Sequence, residues 1–414
     1  VRRNLDQSGL TALVDRPGVS RAFAALDEPG AETRLIGGCV RDALLGIAAA
    51  DIDLATTLLP EAVLARARAA GLKAVPTGIE HGTITLIIGD GPIEVTTLRE
   101  DVETDGRHAV VRFGGDFARD AERRDFTVNA LSLGRDGRLH DTVGGLADLE
   151  AGRVRFIGDP ATRIREDALR ILRFFRFHAR FGSGTPDPEA LAACVAARDS
   201  LRRLSRERIR DEFLKLLMAT GGPTMVVTLS ATGLLQRITG GVGELGRLER
   251  AARADLPPVM RLAALAVGAR HDADRLRDRL RLSNQEHGQL TAYADVLAAL
   301  HDRATIDESA ARSLAAEHGL TPLTETLAIL AGEPRPHVTD GTRQALLTLR
   351  GEGGPPTFPL AGADLVAAGI PPGPTIGRAL AAARRLWLER GCPSGPEARA
   401  GLLDHALDHA RAPQ

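Results

Sequence analysis

Two aspartates separated by one residue, Asp51-Ile52-Asp53, open the apolar run DIDLATT (51–57). If that run is a strand, positions i and i+2 share a face, so the two carboxylates stand side by side. Like charges held that close call for a cation between them. Hard oxygen ligands of this kind suit Mg2+, which keeps several waters and takes one or two carboxylates plus substrate phosphates. A lone Asp-X-Asp is more simply a solvated strand face. Here, however, Gly37-Gly38-Cys39-Val40-Arg41-Asp42 precedes it, with only thirteen residues from Gly38 to Asp51. Two glycines where a strand gives way to a helix let the backbone approach a ligand, and the helix N-terminus offers unpaired N–H groups to an anion. Arg41 could fork onto phosphate oxygens. One strand thus offers metal ligands and its neighbour a phosphate cradle. Glu94, in PIEVTTL (92–98), is open to two readings: a third carboxylate facing the same metals, or a charge at a strand edge.

Two further constellations follow. Arg123-Arg124-Asp125-Phe126-Thr127-Val128-Asn129-Ala130-Leu131 reads as a helix after a polar stretch, with arginines suited to a triphosphate and Asn129 to backbone or sugar. In Glu166-Asp167-Ala168-Leu169-Arg170-Ile171-Leu172-Arg173-Phe174-Phe175-Arg176, the residues Asp167, Arg170, Arg173 and Arg176 recur every three positions. On one helix they form a winding ridge. Such a ridge is commonly a solvated face. An acceptor beside a fork of donors also matches the pairing edge of cytosine or adenine: the carboxylate accepts from the exocyclic amino group, and the guanidinium donates to the ring acceptors. Uracil and guanine present the reverse polarity and would leave buried groups unpaired.

The elements that must position these residues change character along the chain. TRLIGG (33–38), DIDLATT, GTITLIIGD (82–90) and PIEVTTL read as strands, the last two joined by Gly-Asp-Gly at 89–91 as a hairpin. Helices are expected near 39–46 and 60–71. After about residue 159 strand signals stop, and helical periodicity predicts helices near 160–182, 187–199, 205–219, 258–268, 285–300, 307–318, 340–349 and 376–390. Pro/Gly-rich breaks fall at 182–188, 221–223, 351–358 and 371–374. The polar segment 99–118 contains Arg99, Asp101, Asp105, Gly106 and the glycines at 114–115, and reads as a mobile connection.

The chain has 414 residues, 43% hydrophobic but only 3% aromatic, so its cores must rest mainly on Ala, Leu, Val and Ile. Of 53 basic residues only Lys73 and Lys215 are lysine, and the net charge is −1. Local arginine patches, not a whole-protein field, must therefore hold any nucleic acid. Cys39, Cys194 and Cys392 lack metal-ligand spacing and exclude a disulfide framework. VRRNLDQSGL carries no apolar signal core, and no stretch approaches the roughly 18–20 apolar residues of a membrane span. The expected compartment is the cytoplasm.

The order GGCVRD, DIDLAT, RRDFTVNAL, DTVGGLADLEAGRVRFIGDP, RIREDALRILRFFRF resembles the class II tRNA nucleotidyltransferase and bacterial poly(A) polymerase family over roughly residues 33–220. SRERIRDEFLKLL (205–217) resembles the family's neck, and the C-terminal half matches only through RLRLSN (279–284). The resemblance implies an α+β protein: a nucleotidyltransferase-type α/β head (1–150), a nucleotide-recognition helix and neck (151–235), and an elongated helical body and tail (236–414) that binds tRNA. Asp51 and Asp53 match the metal-binding, catalytic aspartates. Gly38, Arg41, Arg124, Asp167, Arg170, Arg173 and Arg176 match nucleotide-binding positions, with Asp167 and Arg170 as the base-reading pair. Ala168 stands where proline is common, which changes no ligand. The implied reaction adds C, C and A to tRNA from CTP and ATP with Mg2+, without a template and with no stable protein partner. Poly(A) synthesis, partial addition of CC or A alone, and a non-catalytic RNA-binding protein are the alternatives. Arg202, Arg203, Arg206, Arg208 and Arg210 form one candidate RNA patch, and Arg378, Arg384 and Arg385 another. His271-Asp272 could mark a metal phosphohydrolase site, but no further histidine pattern accompanies it, and a helix-capping pair is the simpler account.

Overall fold

The computed structural model describes residues 3–89, 91–104, 109–351 and 353–412, and the side chains of 81 and 99–112 lie outside that description. The chain forms two compact units, 1–237 and 238–414.

The first unit is built on a seven-stranded sheet. Its strands are β1 (Thr33–Ile36), β2 (Ile52–Thr56), β3 (Lys73–Gly78), β4 (Thr83–Ile88), β5 (Gly91–Thr97), β8 (Ser132–Gly134) and β9 (Leu139–His140). Their order is β3-β4-β5-β2-β1-β8-β9. Only β2 and β5 pair in parallel; the other neighbours are antiparallel. Side chains alternate between faces along each strand. Ile52, Leu54 and Thr56 on β2, and Ile93, Val95 and Thr97 on β5, are buried beneath the Pro17–Ala25 and Pro60–Ala69 helices. Asp53 and Glu94 therefore emerge on the opposite face.

Several pieces of this unit differ from expectation. Strand β3 was not expected, because KAVPTG alternates poorly and contains Pro76; the sheet tolerates it at an edge, where a missing N–H breaks no central ladder. The segment read as a mobile connection is largely a two-stranded antiparallel ribbon, β6 (Arg99–Thr104) with β7 (Ala109–Phe113). The expected side chains Arg99, Asp101, Asp105 and Gly106 fall outside the described residues. The single helix expected over 160–182 is two, Pro160–Glu166 and Arg170–Phe181, broken at Asp167. Asp167 is extended (φ −148°, ψ 108°), and its Oδ1 accepts from the Leu169 N–H at 3.0 Å, a turn-forming bond that competes with helix continuation.

Phenylalanine is scarce yet concentrated. Six of the eleven, Phe126, Phe156, Phe174, Phe175, Phe177 and Phe181, form one connected cluster. Phe126 and Phe156 lie 4.7 Å apart across an isolated β-bridge, and Phe126 meets Phe177 edge-on at 5.4 Å. This cluster fixes the Arg170–Phe181 helix against the head. The Arg206–Met218 helix packs on its other side.

Among the described residues, the regular structure of the second unit is helical apart from a two-residue parallel bridge between Thr305–Ile306 and His337–Val338. The Asn284–His301 helix begins with a capping box in which Ser283 and Glu286 satisfy each other's backbone N–H. Helices at Leu245–Arg253, Arg270–Leu280, Leu320–Ile329 and Pro396–Arg411 add to those expected. The only tyrosine, Tyr293, and the only tryptophan, Trp387, are both buried here; the indole N–H donates to the Pro393 carbonyl at 3.0 Å.

Candidate active site

The turn after β1 is where the sequence placed a phosphate cradle. Gly37 has φ 70° and ψ −120°, a backbone conformation that L side chains rarely adopt. A Cβ there would also stand 2.9 Å from the Arg124 guanidinium. Gly38 then opens the Gly38–Leu44 helix. Cys39 is buried beneath this turn; its thiol, facing the Ile36 and Asp53 carbonyls, is pushed up to about 11 by burial.

Arg41 does not project toward a ligand in this conformation. It is 4% exposed, donates to Asp42 Oδ1 from Nε (2.9 Å) and Nη2 (2.7 Å), and donates to Asn129 Oδ1. Its guanidinium lies 4.1 Å from the Phe181 ring centre. Burial pulls its pKa down against the opposing pull of Asp42. The expected phosphate fork is consumed in tying the turn to Asn129 and the phenylalanine cluster.

Arg124 occupies the better position. It sits against Gly37, donates to Asp120 Oδ2 (3.1 Å from Nη2) and the Asn129 carbonyl (3.3 Å), and acts electrostatically on Asp53. The expected helix over 123–131 is instead a turn. Phe126 is extended, only Thr127–Asn129 is a short 3-10 turn, and the Asp125 carboxylate accepts from the Phe126 N–H (2.9 Å) and Asn129 Nδ2 (3.0 Å). Those local bonds divert the backbone from the helical ladder.

The carboxylates converge. Asp53 on β2 is in direct register with Glu94 on the parallel neighbour β5, and Asp51, in the bend just before β2, acts on it electrostatically. Burial pushes the Asp53 carboxyl up to about 6; Glu94 and Asp51 add to the rise and Arg124 opposes it. Among the described residues no group of three His, Cys, Asp or Glu closes around a metal by itself. The donor set is two aspartates with a third carboxylate alongside and an open remainder. It fits a hard divalent cation that completes its shell with water and phosphate.

The arginine ridge is brought together, though not as a bare cationic face. Arg170 Nη1 donates to Glu166 Oε2 (2.5 Å) and the Arg163 carbonyl (2.8 Å). Arg173 pairs with Asp125 (2.6 Å from Nη2), and Arg176 with Glu212 (2.6 Å from Nε). Asp167, off the helix, accepts at Oδ2 from Arg208 Nη2 (2.7 Å) on the Arg206–Met218 helix. Asp125 was named only within its motif, Glu212 was given no role in advance, and Arg208 was named only within an RNA patch, so none was foreseen as a partner of these side chains. They lie 48, 36 and 41 residues from the partners named here, and no helical or strand spacing connects them.

The remaining candidates divide. Arg202, Arg203 and Arg206 are exposed, whereas Arg208 is taken by Asp167 and Arg210 bonds Asp211. Arg378, Arg384 and Arg385 are exposed on the Pro374–Glu389 helix. Asp272 accepts the N–H groups of Gly268 and Ala269, the capping role expected of it, and His271 is exposed. No helix among the described residues is long and apolar enough to cross a membrane.

Residues 33–155 match the family described as "Poly A polymerase head domain", and 185–240 match "Probable RNA and SrmB- binding site of polymerase A". The chain is 34% identical to a mitochondrial CCA tRNA nucleotidyltransferase 1 of Danio rerio, over 86% of this chain and 83% of the relative. It is 33% identical to a CCA-adding enzyme of Limosilactobacillus fermentum, over 88% and 90%. Among solved structures, the CCA-adding enzyme of Bacillus stearothermophilus in complex with CTP superposes with a TM-score of 0.70 at 26% identity, covering 94% of this chain and 98% of that one.

Proposed function

Because this chain belongs to the family of class II CCA-adding tRNA nucleotidyltransferases, we propose that the carboxylate site on β2 and β5 is where it joins nucleotides to the 3′ end of tRNA. The enzyme adds C, C and A to tRNA, with CTP and ATP as substrates and pyrophosphate as product. The observation that carries the assignment of the site is the register of Asp53 with Glu94, with Asp51 adjoining and Arg124 against the Gly37 turn.

In our reading the tRNA 3′-oxygen bonds to the α-phosphorus, the bond from that phosphorus to the bridging oxygen breaks, and the hydroxyl proton leaves to solvent. Asp51 and Asp53 would hold Mg2+. When bound, Mg2+ acidifies the attacking hydroxyl and offsets charge on the leaving pyrophosphate. The Gly37–Gly38 turn admits the triphosphate to the backbone, and Arg124 meets its negative charge. Arg41 supports that turn from within. Asp167 accepts from the amino group of cytosine or adenine while Arg170 donates to the ring acceptors. Arg173 and Arg176, held by Asp125 and Glu212, border the nucleotide. We divide the chain into a catalytic head (1–150), a recognition helix and neck (151–235), and a body and tail that hold the tRNA (236–414). The three free, buried cysteines suit a reducing compartment, and the cytoplasm is our assignment.

The test is incorporation of labelled CTP and ATP on tRNA lacking its last one, two or three nucleotides. Ordered completion of all three substrates is expected. Unlimited A addition would make the chain a poly(A) polymerase, and arrest after CC or dependence on preformed CC would make it a partial enzyme.

A further inference from the structure

Asp167 is held both from within its own segment and from outside it. The break between the Pro160–Glu166 and Arg170–Phe181 helices leaves its carboxylate at a junction with no helical ladder to orient it. Two bonds fix it: Oδ1 accepts from the Leu169 N–H (3.0 Å), and Oδ2 accepts from Arg208 Nη2 (2.7 Å). Arg208 stands in the first turn of the Arg206–Met218 helix, where its backbone N–H is bound by the Ser205 hydroxyl, and that helix packs along the Arg170–Phe181 helix. The ion pair is partly shielded, with side-chain exposures of 20% for Asp167 and 36% for Arg208. A carboxylate with one partner on each oxygen keeps a lone pair on each and cannot swing freely.

We infer that Arg208 is a positioning residue for nucleotide choice: its bond to Oδ2 sets the direction in which Asp167 presents its remaining lone pairs, and so lets the carboxylate repel a base that offers an acceptor. The inference rests on the proposal that Asp167 reads the base. Its chemistry follows from polarity. Cytosine and adenine offer an amino donor at the position where uracil and guanine offer a carbonyl acceptor. Rejection of the wrong base depends on the acceptor staying in place, because a carboxylate able to rotate away removes the clash. Arg208 belongs to the neck, so the direction of the carboxylate depends on the neck helix remaining seated.

Full-length enzyme carrying Arg208→Ala, Arg208→Lys, Asp167→Ala or both alanine changes would be assayed for kcat and KM with CTP against UTP on tRNA lacking CCA. ATP against GTP would be measured on tRNA ending in CC. Arg208→Ala should lower discrimination by about tenfold, chiefly by raising wrong-base kcat/KM, and Arg208→Lys should restore most of it. The double alanine variant should discriminate no worse than Asp167→Ala alone, because the two act through one carboxylate. Lost discrimination in Asp167→Ala with full discrimination in Arg208→Ala overturns the inference and leaves the base-reading proposal standing. Unchanged discrimination in Asp167→Ala overturns both. A fall in KM for CTP in Arg208→Ala, with selectivity intact, would make Arg208 a latch competing with the base. Should Arg208→Ala melt early, Arg208→Met, which keeps the aliphatic stem and removes every donor, gives the same reading: lost discrimination supports positioning, and full discrimination overturns it.

Discussion

On the sheet, Asp51, Asp53 and Glu94 gather negative charge with no ion pair among the described residues, answered only by the field of Arg124. On the Arg170–Phe181 helix, each arginine that the three-residue spacing marks already has a carboxylate: Arg170 has Glu166, Arg173 has Asp125, and Arg176 has Glu212. Both regions look alike in sequence, as short charged motifs in apolar runs. Structurally they are opposites. In the first, unlike charge is left for a ligand to bring. In the second, charge is balanced in advance, and balance fixes side chains in place. An unbalanced cluster marks where binding adds most; a balanced one marks where geometry has been set beforehand.

The sharpest way to break this contrast is to remove a carboxylate from each side. Asp51→Ala or Asp53→Ala should abolish incorporation, by on the order of 10³-fold or more, with tRNA binding nearly unchanged in a filter or mobility-shift assay. Full activity in both variants would remove the sheet cluster from the chemistry.

Stability should respond with opposite signs. Asp125 is buried, and although burial pushes its pKa up, Arg173 and the Asn129 amide hold it below the usual carboxylate range. Asp125→Ala takes the nearer partner from Arg173, leaving it Glu212 at 3.8 Å, and should cost about 1.5–3 kcal/mol in denaturant unfolding. A group held low contributes stability that is full above the ordinary carboxylate value and is lost progressively as pH falls from there through the lowered folded value. Asp53 is the reverse. With its carboxyl at about 6, the metal-free protein bears the full penalty above that pH and loses it as pH falls toward the ordinary range. Asp53→Asn in excess chelator should therefore stabilise, by about 1–3 kcal/mol at neutral pH, and flatten the stability profile between about pH 4 and 6. Destabilisation by Asp53→Asn would mean the sheet cluster is as balanced as the helix.

The smallest effect concerns surface charge. Arg384 and Arg385 are exposed, and replacing both with Ala should lower the salt slope of tRNA binding by roughly one unit or less for each phosphate the pair neutralises. An unchanged slope would place the RNA elsewhere.

What the sequence made legible was local. Asp51 and Asp53 were readable because strand period alone puts i and i+2 on one face, and Gly37-Gly38 because the turn needs a residue that accepts φ 70°. Of the helices of the second unit, those near 258–268, 285–300, 307–318, 340–349 and 376–390 were visible in apolar spacing, whereas Leu245–Arg253, Arg270–Leu280, Leu320–Ile329 and Pro396–Arg411 were not foreseen, and Gly362–Ala367, at six residues, was too short to register. The two-residue strand Leu139–His140 exists only because Ser132–Gly134 lies beside it. The break at Asp167 was hidden for a different reason: the three-residue spacing of Asp167, Arg170, Arg173 and Arg176 is compatible with an unbroken helix, and only the bonds from Leu169 and Arg208 reveal the junction. The internal bonds of Arg41 were hidden because a sequence shows a charge without its partners, and Asn129, 88 residues on, is one of them.

The placement of the aromatic residues has an optical consequence. Trp387 and Tyr293 both belong to the unit 238–414, while the unit holding the carboxylates and the arginine helix contains only phenylalanine. Intrinsic emission therefore comes entirely from the second unit. An unfolding curve followed by tryptophan fluorescence tracks the burial of Trp387 beside Phe358, and it does not watch the phenylalanine cluster loosen. Circular dichroism, by contrast, sees helices in both units. Disagreement between the two signals would read out directly whether the units melt together. A single tryptophan placed at Phe177, in a background where Trp387 is phenylalanine, would move the lamp to the recognition helix.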